Sequence, residues 1–294
     1  MQISANGIAL EVEDHGSPSG EPLVLIMGLG MQLVAWHPEF VAMLVARGFR
    51  VIRFDNRDIG LSQRFDHLGV PNLAIDSLKY AVGMKVAARY TVADMADDTA
   101  GLLAAMGIAS AHICGASMGG MIAQQLAVRH PQRVKSLTLI MTSSGSRRLP
   151  GPTLKVRSAL ISRPADPKNV QSIIEHYVKL YRLIGSPGYP ATEAYLHERL
   201  GQSVRRSHRP QGTARQMVAI AADGNRSKLL AQIKVPTQII HGKADPLVPV
   251  EAGADLAAKI AGAEIDLIAG MGHDLPTELW PRFVAGIGSA AGRA

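Results

Sequence analysis

A chain of 294 residues with 47% hydrophobic and 19% charged side chains is long enough to bury a sizeable apolar core and too apolar to be a disordered tail. Its single cysteine, Cys114, excludes an internal disulfide framework, and no stretch approaches the roughly 20 uninterrupted apolar residues of a membrane span. The formal charge of +7 is uneven: residues 146–234 hold 16 Lys plus Arg against 5 Asp plus Glu, leaving 15 against 19 for the rest. That balance points first to a solvated basic face and second to attraction of an anionic substrate or surface. Nucleic acid is disfavoured as a partner, because the basic segment carries no recognition motif and aromatic residues make up only 4% of the chain. The opening Met1–Gly7 has no basic start followed by an apolar run, so a cytoplasmic location without membrane insertion is expected.

In chain order, the first expected element is a hairpin, with Ile3 and Ile8–Val12 flanking an Asn6-Gly7 pair that tolerates positive φ. Continuous apolar runs then predict strands at Leu23–Met27, Val51–Phe54, His112–Cys114, Leu137–Met141, Thr237–Ile240 and Ile265–Ile268. Runs without alternation imply burial on both faces. Helix-period stretches at Pro38–Arg47, Val92–Met106, Met118–Arg129, Glu251–Ile260 and Glu278–Gly286 alternate with them. This order predicts an α/β fold: a mostly parallel, doubly wound sheet covered on both sides.

Two stretches break the rhythm. Residues 146–234 read as helices, with candidates at Val170–Ile184, Thr192–Leu200 and Ala214–Ala222, which predicts a helical cap inserted between a first core part, 1–145, and a second, 235–294. Residues 61–90 are long for a link and carry an apolar patch from Leu73 to Val86, either a second rim of a pocket or ordinary surface packing.

The sharpest chemical signal is Gly115-Ala116-Ser117-Met118-Gly119-Gly120, between an apolar strand and a helix-period run. Small neighbours allow a sharp turn that lifts the Ser117 hydroxyl above the sheet and aims helix amides at developing negative charge. A serine hydroxyl is a weak nucleophile, so a base must take its proton and an acid must hold that base in one tautomer. Asp245, in Gly242-Lys243-Ala244-Asp245-Pro246, follows the penultimate strand, and His273, in Gly270-Met271-Gly272-His273-Asp274, follows the last. An oxyanion would need two backbone donors, for which the Met118 amide and the Leu29 amide in Met27-Gly28-Leu29-Gly30 are the candidates. Taken singly, each segment also reads as a plain turn. Gly28, Trp36 and Met217 are candidates for the substrate pocket, with core packing the competing reading for Trp36 and Met217. Tyr177, Tyr181 and Tyr195 face either the cap interior or water. His37, His112, His130 and His241 lack metal-ligand spacing and read as packing or capping residues, and Cys114 as inert core. No metal and no cofactor are expected.

Together these segments resemble the α/β-hydrolase family along nearly the whole chain, with the cap least covered. By that resemblance Ser117 matches the nucleophile, Asp245 the acid, His273 the base, and Leu29 and Met118 the oxyanion amides. Arg53-Phe54-Asp55-Asn56-Arg57-Asp58-Ile59-Gly60-Leu61-Ser62 is similar to the turn that braces the family's oxyanion loop, which makes Asp55 and Arg57 structural. Met27 stands where many relatives have histidine, and Asp58 where glycine is common. Met-Gly at that point resembles the subgroup containing aclacinomycin methylesterase. The resemblance implies hydrolysis of a small-molecule carboxylic ester through an acyl-enzyme. A cofactor-free perhydrolase or carbon–carbon bond hydrolase using the same residues is the alternative, and a ligand-binding protein of this fold with little turnover is the alternative outside catalysis. A homo-oligomer is compatible with the sequence.

Overall fold

The computed structural model describes residues 1–294. Strands β1 (Gln2–Ala5) and β2 (Ile8–His15) form a hairpin through Asn6 and Gly7, both at positive φ, 50° and 76°. Next come β3 (Glu21–Ile26), α1 (Pro38–Val45), β4 (Phe49–Phe54), α2 (Leu73–Ala81), α3 (Val92–Ala105), β5 (Ala111–Ala116), α4 (Met118–Arg129) and β6 (Val134–Ile140). Five helices then separate β6 from the next strand: α5 (Leu154–Ile161), α6 (Val170–Ile184), α7 (Glu193–Arg206), α8 (Pro210–Asp223) and α9 (Ser227–Leu230). The chain ends with β7 (Thr237–Gly242), α10 (Glu251–Lys259), β8 (Glu264–Ile268) and α11 (Trp280–Gly292).

The eight strands form one sheet in the order β1-β2-β4-β3-β5-β6-β7-β8. The β1/β2 and β2/β4 pairs are antiparallel, and every other pair is parallel. The mostly parallel, doubly wound α/β arrangement follows from the two-sided burial of the central strands. Val24 and Ile26 of β3 join one core, against α3 and α4, while Leu23 and Leu25 join the other, against α1 and α11. From β3 the chain first builds β4 on one side and then β5 on the other. The order therefore reverses at the β3/β5 pair, and the crevice beyond their carboxyl ends is where doubly wound sheets place ligands.

Of the elements that differ from expectation, three do so for identifiable reasons. The helix expected from Glu278 begins instead at Trp280, after a 3-10 turn at Thr277–Leu279, and runs to Gly292. Pro281 fixes that start, because its missing N–H is harmless only in a helix's first turn. Helix α7 continues through Gly201 to Arg206, because Leu196, Leu200 and Val204 form an apolar stripe against Ile173, Ile174 and Val178 of α6. Helix α5 was not anticipated. Thr153 caps it, accepting from the Val156 amide at 3.3 Å, but only Val156 is buried, so no apolar period marks it.

Arginines tie the inserted helices to the sheet. Arg206 donates to Asp55 and to Gln32, each at 2.7 Å. Arg215 forks onto Asp58 at 2.5 and 2.7 Å, with both side chains only 1% exposed. Arg226, also buried, donates to Gln124 at 3.0 Å, to the Ser143 carbonyl at 2.7 Å and to Asp223. Asp58 takes φ 74°, the left-handed region that favours glycine. Its side chain accepts from Arg215, from Tyr90 Oη at 3.0 Å and from the Phe65 amide at 3.1 Å, and these bonds outweigh burial to hold the carboxyl below its ordinary range.

Candidate active site

Register brings the first two pieces together. Ile26 of β3 pairs with Gly115 of β5, so the two strands release their following residues side by side. Ser117 then turns at φ 54°, ψ −119°, between the end of β5 and the start of α4. A side chain at Gly119 would strike the Ile26 carbonyl, so glycine there lets α4 sit directly against β3. The Ser117 amide donates to the Ile140 carbonyl at 2.9 Å, and its carbonyl accepts from Thr142 Oγ1 at 2.7 Å. Its hydroxyl makes no cap bond to the helix it opens, which leaves it for another partner.

That partner is His273. Nε2 of His273 lies 3.0 Å from Ser117 Oγ, and Nδ1 lies 2.7 Å from Asp245 Oδ2. A carboxylate only accepts, so Nδ1 carries the proton and Nε2 is the acceptor for the serine hydroxyl. The other Asp245 oxygen accepts from the amides of Leu247 and Val248 at 2.9 and 2.8 Å, which fixes the carboxylate's angle. Asp245 and His273 are buried, and Ser117 is half-buried at the cavity wall. Such a chain can move a proton from hydroxyl to imidazole while the carboxylate stabilises the imidazolium.

The Met27–Gly30 turn faces this group. A Cβ at Gly28 would stand 3.1 Å from Ser117 Cβ and 3.6 Å from Ser117 Oγ. The Leu29 and Met118 amides donate to no other protein group. The loop is braced from behind: Asp55 Oδ1 accepts from the Leu33 amide at 2.7 Å and Asn56 Nδ2 donates to the Met27 carbonyl at 2.9 Å. Arg57 points away, pairing with Asp98 at 2.6 Å. Gln216, which no sequence motif singled out, accepts from the Gly30 amide at 2.9 Å and donates to the Arg57 carbonyl at 3.0 Å.

A cavity of about 1320 Å³ opens over Ser117 and His273. Gly28, Leu29 and Met217 line it, as do Tyr177, Tyr181 and Tyr195. Trp36 does not. It is fully buried in the core that α1 and α11 build against the sheet, stacked on Phe40 with ring centroids 5.7 Å apart, so the pocket candidacy of Trp36 is corrected to core packing. The four set-aside histidines have local partners: His37 caps α1, His112 meets Ser136 Oγ at 2.8 Å, His130 meets Asp97 at 2.7 Å, and His241 Nε2 donates to the Val248 carbonyl at 2.8 Å. Burial pushes the Cys114 thiol well above its ordinary range, which keeps it unreactive.

The segment after α6 clamps the His273 loop. The His273 amide donates to the Ile184 carbonyl at 2.7 Å, and Gly188 N donates to the Gly270 carbonyl at 2.9 Å. Between them, buried Ser186 accepts from the Gly272 amide at 2.8 Å and donates its hydroxyl to Asp274. Asp274 lines the cavity beside His273, and burial pushes its carboxyl above the usual range, partly offset by the Ser186 hydroxyl. The sequence showed Asp274 next to the histidine but gave no sign of Ser186.

The chain is similar to known proteins along nearly its whole length. Rhodomycin D methylesterase DauP of Streptomyces sp. (strain C5) is 26% identical over 303 residues, covering 97% of this chain and 95% of the relative. The corresponding DnrP of Streptomyces peucetius is also 26% identical, over 307 residues, with the same coverage. The crystal structure of the enol-lactonase from Burkholderia xenovorans LB400 superposes with a TM-score of 0.75 at 24% identity, over 99% of this chain and 100% of that one. The model of the alpha/beta hydrolase fold family matches residues 21–277, and the chain belongs to that family.

Proposed function

We propose that the protein is a carboxylic ester hydrolase in which Ser117 attacks the ester carbonyl. The observation that carries this reading is His273 bridging Ser117 Oγ at 3.0 Å and Asp245 at 2.7 Å. His273 takes the serine proton as the oxygen bonds to carbon. The tetrahedral oxyanion is held by the Leu29 and Met118 amides, each such donor worth roughly 10²–10³ in rate. His273 returns the proton to the departing alkoxide, leaving the acyl group on Ser117. Water then repeats the sequence, and the carboxylic acid leaves. Helices α5–α8 act as a cap that shapes the acyl site.

The cavity volume exceeds the roughly 300–1,000 Å³ of ordinary small-molecule pockets, which favours a bulky, mostly apolar acyl group over a short one. Two methylesterase relatives matching nearly end to end favour a small alcohol on the other side of the bond. The test pairs a short p-nitrophenyl ester with methyl esters of increasingly large aromatic acids. Turnover is expected to rise with acyl size and to fall by about 10³–10⁶ in Ser117→Ala, with fluorophosphonate labelling of Ser117 lost in parallel. Unchanged turnover in that variant rejects the mechanism. Failure of the folded wild-type protein to take the label returns the chain to a binding role, and carbon–carbon or peracid products from a wider substrate panel reassign the bond.

A further inference from the structure

Twelve large hydrophobic side chains are exposed, and eight of them lie in two short stretches, Val70–Met84 and Leu154–Ile161, on and beside α2 and α5. Leu78 is 65% exposed and Leu154 83%. Soluble proteins scatter such residues singly, and a concentration of them marks an interaction face. On α2 the solvent side is the apolar one: Ile75, Leu78 and Val82 stand on one exposed stripe, while Leu73, Ala74 and Ser77 turn to the cavity. The same arrangement holds on α5, where Leu154 is outward and Ala159 and Leu160 line the cavity. Arg147 lies over the Tyr80 ring at 4.6 Å, which joins the two stretches into one surface.

The charge around this face is predominantly positive. Residues 70–90 and 146–168 hold nine Lys plus Arg against two acids, Asp76 and Asp166. None of the nine is in an ion pair, whereas Arg206, Arg215 and Arg226 of the same insertion all are. A second copy of the chain would meet this face with its own cations, since a two-fold contact sets identical patches against each other. An anionic partner is required. The apolar side chains project from the outer sides of two helices, which fits a fluid surface. No helix of the chain is long and apolar enough to cross a membrane, so contact is at the surface only.

We propose that this face docks on an anionic lipid bilayer, with Leu78, Val82 and Leu154 in the headgroup–acyl boundary and the surrounding cations against acidic headgroups. Because α2 and α5 also wall the cavity, docking sets the opening over Ser117 at the lipid surface, where an amphiphilic ester is concentrated. Binding itself does not depend on the proposed ester chemistry, and Ser117→Ala is expected to dock like the wild type.

The test is co-sedimentation of the full chain with vesicles of phosphatidylcholine alone and of an equimolar mixture of phosphatidylcholine and phosphatidylglycerol. Binding to the mixed vesicles is expected, at least roughly tenfold tighter than to phosphatidylcholine alone and weakened by salt, as screened surface charge requires. Leu78→Glu with Leu154→Glu, and separately Arg147→Glu with Lys155→Glu, should each weaken it tenfold or more while turnover of a soluble ester is retained as the control for folding. Equal binding by these variants overturns the proposal, as does absence of binding by the wild type. A solution dimer that the Leu78→Glu and Leu154→Glu pair dissolves also overturns it, giving the face to a second copy.

Discussion

The deep and the shallow parts of the basic insertion use the same residue types in opposite ways. In α7–α9, Arg206, Arg215 and Arg226 run inward to Asp55, Asp58 and Asp223 and are spent on holding the inserted helices against the sheet. Around α5, Arg147, Arg148 and Lys155 stay exposed among apolar side chains and have no acidic partner. Net charge therefore misdescribes the region, because a guanidinium that forks onto a buried carboxylate contributes almost nothing to the outside field. What separates the two parts is whether a buried carboxylate lies within reach: the Asp55-to-Asp58 turn supplies one each under α7 and α8, and Asp223 at the end of α8 supplies one to Arg226.

The largest effect that sharpens this comparison is expected at Arg215. Removing one member of a buried pair strands the other charge, at a cost of about 3–5 kcal/mol. Arg215→Ala should lower urea-unfolding stability by that amount, because Asp58 keeps only the Tyr90 hydroxyl and the Phe65 amide. Replacing both residues, Arg215→Met with Asp58→Asn, should recover much of the loss. A drop below 1 kcal/mol in Arg215→Ala would mean that water reaches Asp58 and that the inward arginines are not anchors.

Ser186 tests whether the anchored part also serves the chemistry. Its hydroxyl joins Gly272 to Asp274 on either side of His273, so Ser186→Ala should let the imidazole wander while leaving the cavity walls in place. Displacement of a reacting group by about an ångström reduces rate by up to roughly a hundredfold. The expected result is kcat lower by about ten- to a hundredfold with KM little changed, and rescue by Ser186→Thr. A KM effect alone would make Ser186 a contact for substrate instead.

A smaller, pH-dependent effect is expected beneath the same loops. His241 is fully buried, and burial holds its imidazole below the ordinary pKa, while Nε2 donates to Val248 and Nδ1 has no partner. The unfolded chain then binds a proton more readily than the folded one. Stability is complete above the unfolded value near 6.5 and is lost as pH falls toward the folded value, by at most about 1.4 kcal/mol per unit. Chemical denaturation from pH 7.5 down to 5 should show a slope of that sign, and His241→Gln should make it shallower, leaving the share of buried His112, whose imidazole burial also holds below its ordinary range.

The sheet and the convergence of Ser117, Asp245 and His273 were legible because they depend on local chain properties: two-sided apolar runs, small residues at a sharp turn, and acidic and basic residues at strand ends. The roles of Ser186 and Gln216 were not, since each is decided by what a distant segment places beside it. Trp36 stacks on Phe40, one helical turn further along, which agrees with the core-packing reading that the sequence kept open for it. Asp58 is intermediate. Its departure from glycine was visible, but its use was not, because the meaning of a carboxylate at positive φ rests on Arg215, 157 residues further along.

The smallest expected effect is the one that completes the contrast. Arg148→Ala and Lys155→Ala remove exposed cations that touch no carboxylate, and substitutions of this kind change stability by less than about 0.5 kcal/mol. Urea-unfolding midpoints of both variants should match the wild type, alongside the large loss in Arg215→Ala. A loss above 1 kcal/mol at either position would show that the outer cations brace the fold as the inner ones do. Their unpaired state would then be a structural feature of α5 and would no longer argue for an anionic partner.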